Sequence, residues 1–299
     1  MVINMIKYIL KVVNIFAVFL LVTGCNQNKI VKQNDLSKLK LLGPVKFVEV
    51  TDYYTNDIEN IGLPQSQTTY LFDKNGNILE KFNYTSYGQL MSKMVCKYND
   101  SLNITEQTVF ESGNVLSSRT LYKYDNLGRL FLEYTYGYKI PKTKIELSLY
   151  NKLNQVVEIH ELDNNMRDLG IVCKYEYDSN GNRTKCILFD SPGKSHVLMT
   201  LTSVYDKSNN EIRAANFVGC DTGTTSYNEW KYDTENLNIE DVEYDRDGSF
   251  ISRNIHEYQG FENGNWIEKR TKSEMVGYTF GSPIYRSVTK RKFEFYADK

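Results

Sequence analysis

The sequence predicts an all-β protein, a long antiparallel meander of repeated β-hairpins, and three observations carry that reading. Aromatic residues make up 13% of the chain, with 23 Tyr and 14 Phe against 2 Trp, and flat side chains of this kind pack well on a pleated surface. An aromatic followed by Asp, Asn or a similar polar residue recurs every 26 to 28 residues from Phe72 to Tyr258. Between these anchors, apolar and polar residues alternate with the period of two that strands show. With 41% hydrophobic residues and only 5 Pro, the 299-residue chain has a folded composition.

The first element is a secretory signal. Lys7 and Lys11 stand near an apolar run, Val12 to Val22, broken only by Asn14 and followed by small residues before Cys25. A positive front, a short apolar core and a small-residue cleavage zone describe an exported chain. Ile9 to Val22 is shorter than the roughly 20 apolar residues a membrane span needs. Val22-Thr23-Gly24-Cys25 resembles the lipobox of bacterial lipoproteins, which implies removal of residues 1–24 and lipid attachment at Cys25. The mature chain would then carry 34 basic and 37 acidic residues, a net charge of −3. That surface has no general attraction for anionic lipid, so the acyl chains would hold the protein at the membrane. It also lacks the basic excess that a nucleic-acid partner requires.

Residues 25–42 are polar and read as a lipid-anchored tether. Asn26, Gln27, Asn28 and Lys29 are not acidic, which favours the periplasmic leaflet of a bacterial outer membrane, with the cell surface as the alternative. Residues 43–299 read as one β domain, beginning with a strand over Val45 to Tyr54.

The repeat follows. Its anchors are Phe72-Asp73, Tyr98-Asn99, Tyr124-Asp125, Tyr150-Asn151, Tyr177-Asp178, Tyr205-Asp206, Tyr232-Asp233 and Tyr258-Gln259. Four residues after each aromatic stand Gly76, Leu102, Gly128, Asn154, Gly181, Asn209, Asn236 and Glu262, six of which are Gly or Asn. Gly and Asn tolerate positive φ, and an Asp or Asn can hold the backbone two residues on, so each anchor opens a hairpin turn. Asp73, Gly76, Asp125, Gly128, Asp178 and Gly181 mark the clearest of these. Twelve residues after successive anchors come Tyr84, Phe110, Tyr136, Leu162, Phe189, Phe217 and Tyr244, all large and apolar. Each unit is therefore two strands with one fixed and one variable turn. Two residues before the anchors are Tyr70, Cys96, Tyr122, Ser148, Tyr175, Ser203, Trp230 and His256. They form an inward ladder, with Ser148-Leu149 and Ser203-Val204 reversing the usual apolar-in pattern. Seven units give about fourteen strands, and Arg286 to Tyr296 adds one at the end. A sheet that long twists and curls, into a partial spiral or a barrel with the tyrosines inside.

Units such as Tyr175-Glu176-Tyr177-Asp178-Ser179-Asn180-Gly181-Asn182-Arg183-Thr184 resemble the YD repeats of the Rhs family, from about Thr69 to Glu262. That resemblance implies hairpins wound into a shell, and carbohydrate binding as in some members. The roughly forty residues after Tyr258 are too few for the enclosed toxic domain of the longest members, so encapsulation is not implied. The chain is similar to the short lipid-anchored YD-repeat proteins of Bacteroidetes.

Catalytic chemistry has little to work with. The three histidines, His160, His196 and His256, lie in three different units, and neither His-x-x-x-His nor Gly-x-Ser-x-Gly occurs. His256 sits in the inward ladder and reads as a core imidazole. His160, near Glu158, Glu161 and Asp163, reads as part of a polar strand. One Asp per turn is what the turn itself needs and is too sparse for the six or more oxygens of a calcium site. Cys96, Cys173, Cys186 and Cys220 remain after Cys25, without a Cys-x-x-Cys pair. Cys173 and Cys186 flank one turn but are not directly opposed, so their pairing is left open. No metal or cofactor is expected. The reading favours a non-catalytic envelope lipoprotein that binds or scaffolds a glycan or another envelope protein. The alternatives are an envelope glycan hydrolase and a toxin-associated carrier. Tyrosine offers a flat apolar ring with a hydroxyl, suited to a partly polar partner. Tyr53, Tyr54, Tyr87, Tyr134, Tyr138, Tyr227 and Tyr278 fall outside the anchors and are the candidate binding strip.

Overall fold

The computed structural model describes residues 34–55, 61–138, 140, 143–193, 196–219, 226–275 and 284–297. Cys25, Cys220 and Tyr278 lie outside them. A one-turn helix, α1 (Asp35–Lys38), precedes eighteen strands. They are β1 (Val45–Tyr54), β2 (Pro64–Phe72), β3 (Ile78–Thr85), β4 (Leu90–Tyr98), β5 (Ile104–Glu111) and β6 (Val115–Tyr124). Next come β7 (Leu130–Tyr136), β8 (Lys144–Tyr150), β9 (Val156–Leu162), β10 (Asp168–Tyr177), β11 (Arg183–Phe189) and β12 (Val197–Tyr205). The last six are β13 (Glu211–Val218), β14 (Ser226–Tyr232), β15 (Asn238–Asp245), β16 (Phe250–Glu262), β17 (Asn265–Met275) and β18 (Ile284–Phe295).

Each strand pairs antiparallel with its sequence neighbours, and β1 pairs with β18 as well as with β2. The sheet is a closed eighteen-stranded barrel, so the expected curl goes to completion and leaves no edge. Closure is sealed by Val45 to Tyr54 running against Ser287 to Phe295.

The turns form as their side chains dictate. Asp73 Oδ1 accepts from the amides of Asn75 and Asn77 at 2.8 and 2.9 Å, and the same pair of bonds recurs from Asp125, Asp178, Asp206 and Asp233. The fourth position then takes positive φ: 81° at Gly76, 74° at Gly128, 86° at Gly181 and 63° at Asn209. Adjacent turns are tied sideways, Asn182 to Asn209 and Asn210 to Asn236, both at 2.9 Å.

The anchor tyrosines point inward. Tyr98, Tyr124, Tyr150, Tyr177, Tyr205 and Tyr258 donate to the carbonyls of Ile78, Ile104, Leu130, Val156, Arg183 and Asn238 at 2.6 to 3.0 Å. Each carbonyl belongs to the first residue of the preceding strand. Tyr296, just past β18, reaches beyond β1 and donates to the carbonyl of Phe72, the last residue of β2, at 2.6 Å. Burial pushes the phenols of Tyr150, Tyr232 and Tyr258 up to about 12, as expected of rings packed partly out of water.

Residues 34–44 close the turn end of the barrel, and this corrects the tether read over 25–42: its last residues dock. Leu36 donates its amide to Gly76 at 3.0 Å. Asp35 accepts from the Ile78 amide and the Tyr98 hydroxyl. Leu42 exchanges two bonds of 2.8 Å with the Asn265 side chain, and Lys40 lies 5.3 Å from the Tyr232 ring centroid. These contacts reach β4 on one side and β14 nearly opposite in the ring. The apolar residues of the segment drive the docking, since Leu36, Leu41, Val45, Val48 and Phe72 form a buried cluster.

Candidate functional site

Eighteen strands enclose an interior wider than their own side chains fill, so the inner wall is the natural place for a ligand. That wall changes with height above the floor made by residues 34–44. Lowest is the apolar cluster of Leu36, Val48 and Phe72, with Phe293 and Phe295 packed on it. Above it, on β2, β16, β17 and β18, come Tyr70, Tyr258, Trp266, Lys269 and Arg291. Higher still is a belt of hydroxyls and amides. Asp52 accepts from Ser66 at 3.1 Å and Thr289 at 2.7 Å, Thr68 donates to Asn83, and Asn83 donates to Ser92.

His256 belongs to this inner wall, with Nε2 2.9 Å from Asp241 Oδ2 and Nδ1 3.0 Å from Thr271 Oγ1. It is a satisfied interior imidazole. Its hydrogen bond helps hold Asp241 below the usual carboxylate range against the opposing effect of burial.

A second inner sector carries carboxylates. Glu133 stands opposite Glu146, and Glu146 opposite Glu161, on β7, β8 and β9. Burial, then the Glu146 charge, pushes Glu133 from 4.5 up to about 7, with Lys144 opposing. Lys144 pairs with Glu146 at 2.8 Å. A third sector is apolar, with Cys173, Cys186 and Leu188 buried beside Ile159, Tyr175, Met199 and Leu201. The Cys173 and Cys186 sulfurs are 3.4 Å apart. They sit diagonally, because Cys173 faces Leu188 and Cys186 faces Tyr175.

The outer wall is laced with cross-strand ion pairs. Glu80 meets Lys93 at 2.7 Å, Glu106 meets Arg119 at 2.8 Å and Lys97 at 3.3 Å, and Glu49 meets Lys292 at 3.0 Å. Glu240 lies between Lys231 and Arg253, and the His160 ring nitrogens lie within hydrogen-bond distance of Glu158 and Asp168, 3.1 and 2.8 Å away. The same outer face also carries an apolar cluster on β7, β8 and β9, where Leu132, Ile145 and Leu162 pack with Tyr134 and Leu147. Among the described residues, no helix is long and apolar enough to cross a membrane, and no cluster of three His, Cys, Asp or Glu could hold a metal.

The tyrosines of the expected strip are dispersed. Tyr54, Tyr87 and Tyr138 are exposed at or near strand ends on the rim away from the floor. Tyr53, Tyr134 and Tyr227 lie on separate outer sectors, on β1, β7 and β14, where Tyr227 stacks on Tyr244 at 4.8 Å. No two of the three share a strand pair. The inner cations were not singled out by sequence, although Arg291 alternates with Phe293 and Phe295, a charge on an otherwise apolar face.

No protein family and no curated protein matches the chain. Among solved structures, a porin-like protein from Bacteroides uniformis is 11% identical, with 84% of this chain and 96% of that one covered and a TM-score of 0.42. A chain of the Photorhabdus luminescens Tc holotoxin pore is 13% identical, covers 74% of this chain and 15% of its own length, and has a TM-score of 0.28. A DUF1329 family protein from Desulfovibrio piger is 8% identical over 84% of this chain and 86% of that one, with a TM-score of 0.22.

Proposed function

We propose that the chain is a non-catalytic binding protein of the bacterial envelope, held by lipid at Cys25, whose barrel receives part of a glycan on its inner wall, above residues 34–44. The observation behind this reading is the inner wall: a wide closed barrel, floored at one end by residues 34–44, with hydroxyl, amide and aromatic groups above the floor. Such a surface bonds sugar hydroxyls and stacks on sugar rings. The ion pairs of the outer wall fit a barrel standing in water on a lipid tether, with the floor towards the membrane. The full-length lipoprotein, extracted in detergent and applied to a glycan array, should retain one class of polysaccharide. Replacement of the inner residues Asn83 and Asn254 together by Leu should abolish that retention. Retention unchanged by the double substitution would place the binding elsewhere.

One observation favours a hydrolase as the second reading. Facing residues on antiparallel neighbours have Cβ atoms about 4.5–5.5 Å apart, close to the carboxyl separation of about 5–5.5 Å in retaining glycosidases. Glu133 and Glu146 are such a pair, and Glu133 is poised near neutrality as a general acid would be. Release of reducing ends from the retained polysaccharide, lost in Glu133→Gln, would establish hydrolysis. Its absence leaves binding alone.

A further inference from the structure

Lys269 and Arg291 are two cations on the inner wall with no counter-ion bonded to them. Lys269 stands between Tyr258 on β16 and Thr289 on β18, and Arg291 lies beside Val50. Among the described residues, neither makes an ion pair or a side-chain hydrogen bond, and Arg291 Nε is buried without a partner. The guanidinium carbon of Arg291 sits 3.5 Å from the Trp266 ring centroid, and Trp266 meets Tyr258 at 5.5 Å with the rings tilted by 58°. Pairing between β17 and β18 stops at Glu268 and Lys290, and past that point Trp266 packs with Tyr258 and Arg291.

Two carboxylates lie in the same sector and act on the cations through space, Asp241 and Asp52 on Lys269 and Asp52 on Arg291, but neither bonds them. Asp52 is held by Ser66 and Thr289, and Asp241 by His256 and Asn238. Both side chains are half-buried, and a cation withdrawn from water without a bonded partner is costly. Burial lowers the proton affinity of both Lys269 and Arg291, as that cost requires. A ligand anion would relieve it, and the planar fork of an arginine set over an indole suits a carboxylate.

We infer that Lys269, Arg291, Trp266 and Tyr258 form a subsite for an acidic sugar, its ring against the aromatic side chains and its carboxylate on the two cations. The belt of Ser66, Thr68 and Asn83 above would bond the hydroxyls of the next residues in the chain. This inference rests on the glycan-binding reading and adds the charge of the ligand.

The test uses the detergent-solubilised full-length protein with Trp230→Phe, which leaves Trp266 as the only indole. The probes are oligogalacturonate and the same oligosaccharide with its carboxyls methyl-esterified. Oligogalacturonate should quench Trp266 fluorescence, and the ester should bind at least about tenfold more weakly, as expected for loss of a charged hydrogen bond. Lys269→Gln should weaken the acid by a similar factor and leave the ester unchanged. Arg291→Lys keeps the charge but loses the fork, and guards against a misfolded Arg291→Gln. Equal binding of acid and ester would overturn the acidic subsite while leaving glycan binding intact. If neither probe binds, the subsite falls as well, and the array decides separately whether the barrel takes any glycan.

Discussion

Replacing Glu133 by Gln should stabilise the barrel above neutral pH and change little near pH 5. The carboxyl is half-buried on the inner face of β7, opposite Glu146, and its affinity for a proton rises from 4.5 to about 7. In the unfolded chain it has its ordinary value. Between those two values the folded protein holds a proton that the unfolded chain releases. The contribution of the site to stability is therefore present below about 4.5, falls as pH rises through the window, and is level above about 7. The full difference corresponds to roughly 3 kcal/mol, and water reaching a half-buried group reduces it to about 1–2 kcal/mol. Gln keeps the shape and cannot ionise. Urea denaturation of the two proteins at about pH 5 and about pH 8 should show their stability difference changing by that 1–2 kcal/mol in favour of Gln at the higher pH. Glu146→Gln should recover part of the same effect by removing the neighbouring charge. If wild type and Glu133→Gln have superimposable pH dependence, Glu133 titrates as an ordinary exposed acid, and its placement on the inner wall is wrong.

Gly76→Ala and Gly128→Ala start from similar φ, 81° and 74°, but an added Cβ meets Asn34 and Leu36 only at Gly76. Both should lose about 1 kcal/mol in thermal or urea denaturation, and only Gly76→Ala should expose residues 34–44 to limited proteolysis. Cys173 and Cys186 should form a disulfide when the protein passes through an oxidising compartment, with a cellular disulfide oxidant accepting the two electrons. Peptide mapping without reductant should find the cross-linked pair, and free thiols at both positions after export would refute it. Cys25→Ala should release the protein from the membrane fraction or leave it unprocessed. Palmitate labelling that survives the substitution would show that Cys25 is not the lipidated residue.

The hairpins were legible because each is specified locally. Asp73, Asn75 and Gly76 encode a turn within five residues, and the ladder from Tyr70 to His256 follows from strict alternation, including the inward Ser148 and Ser203. Leu149 and Val204 do point outward, 38% and 52% exposed. Closure was not legible, since β1 and β18 would read the same on the edges of an open sheet; it depends on the tilt and number of all the strands together. The inner sites were hidden for a related reason. Leu130, Leu132, Tyr134 and Tyr136 form the apolar register of β7, so alternation alone turns Glu133 towards water, whereas the register with Tyr122 turns it inward. Lys269 and Trp266 lie in β17, beyond the last anchor, where no repeat spacing assigns a face.

The seam between β1 and β18 has a consequence for the order of assembly. Lys46 and Glu294 meet across 248 residues, whereas the other seventeen strand pairs join neighbours in the chain. Hairpins can zip one after another as the polypeptide emerges, at little cost in loop entropy. Until residues 284–295 arrive, however, β1 waits with one row of amides and carbonyls unpaired, and the newest strand presents another. Those two rows can template pairing with a second copy. A chain stopped before Ile284 would thus carry nearly all of its hairpins and still offer both growing ends of a fibre.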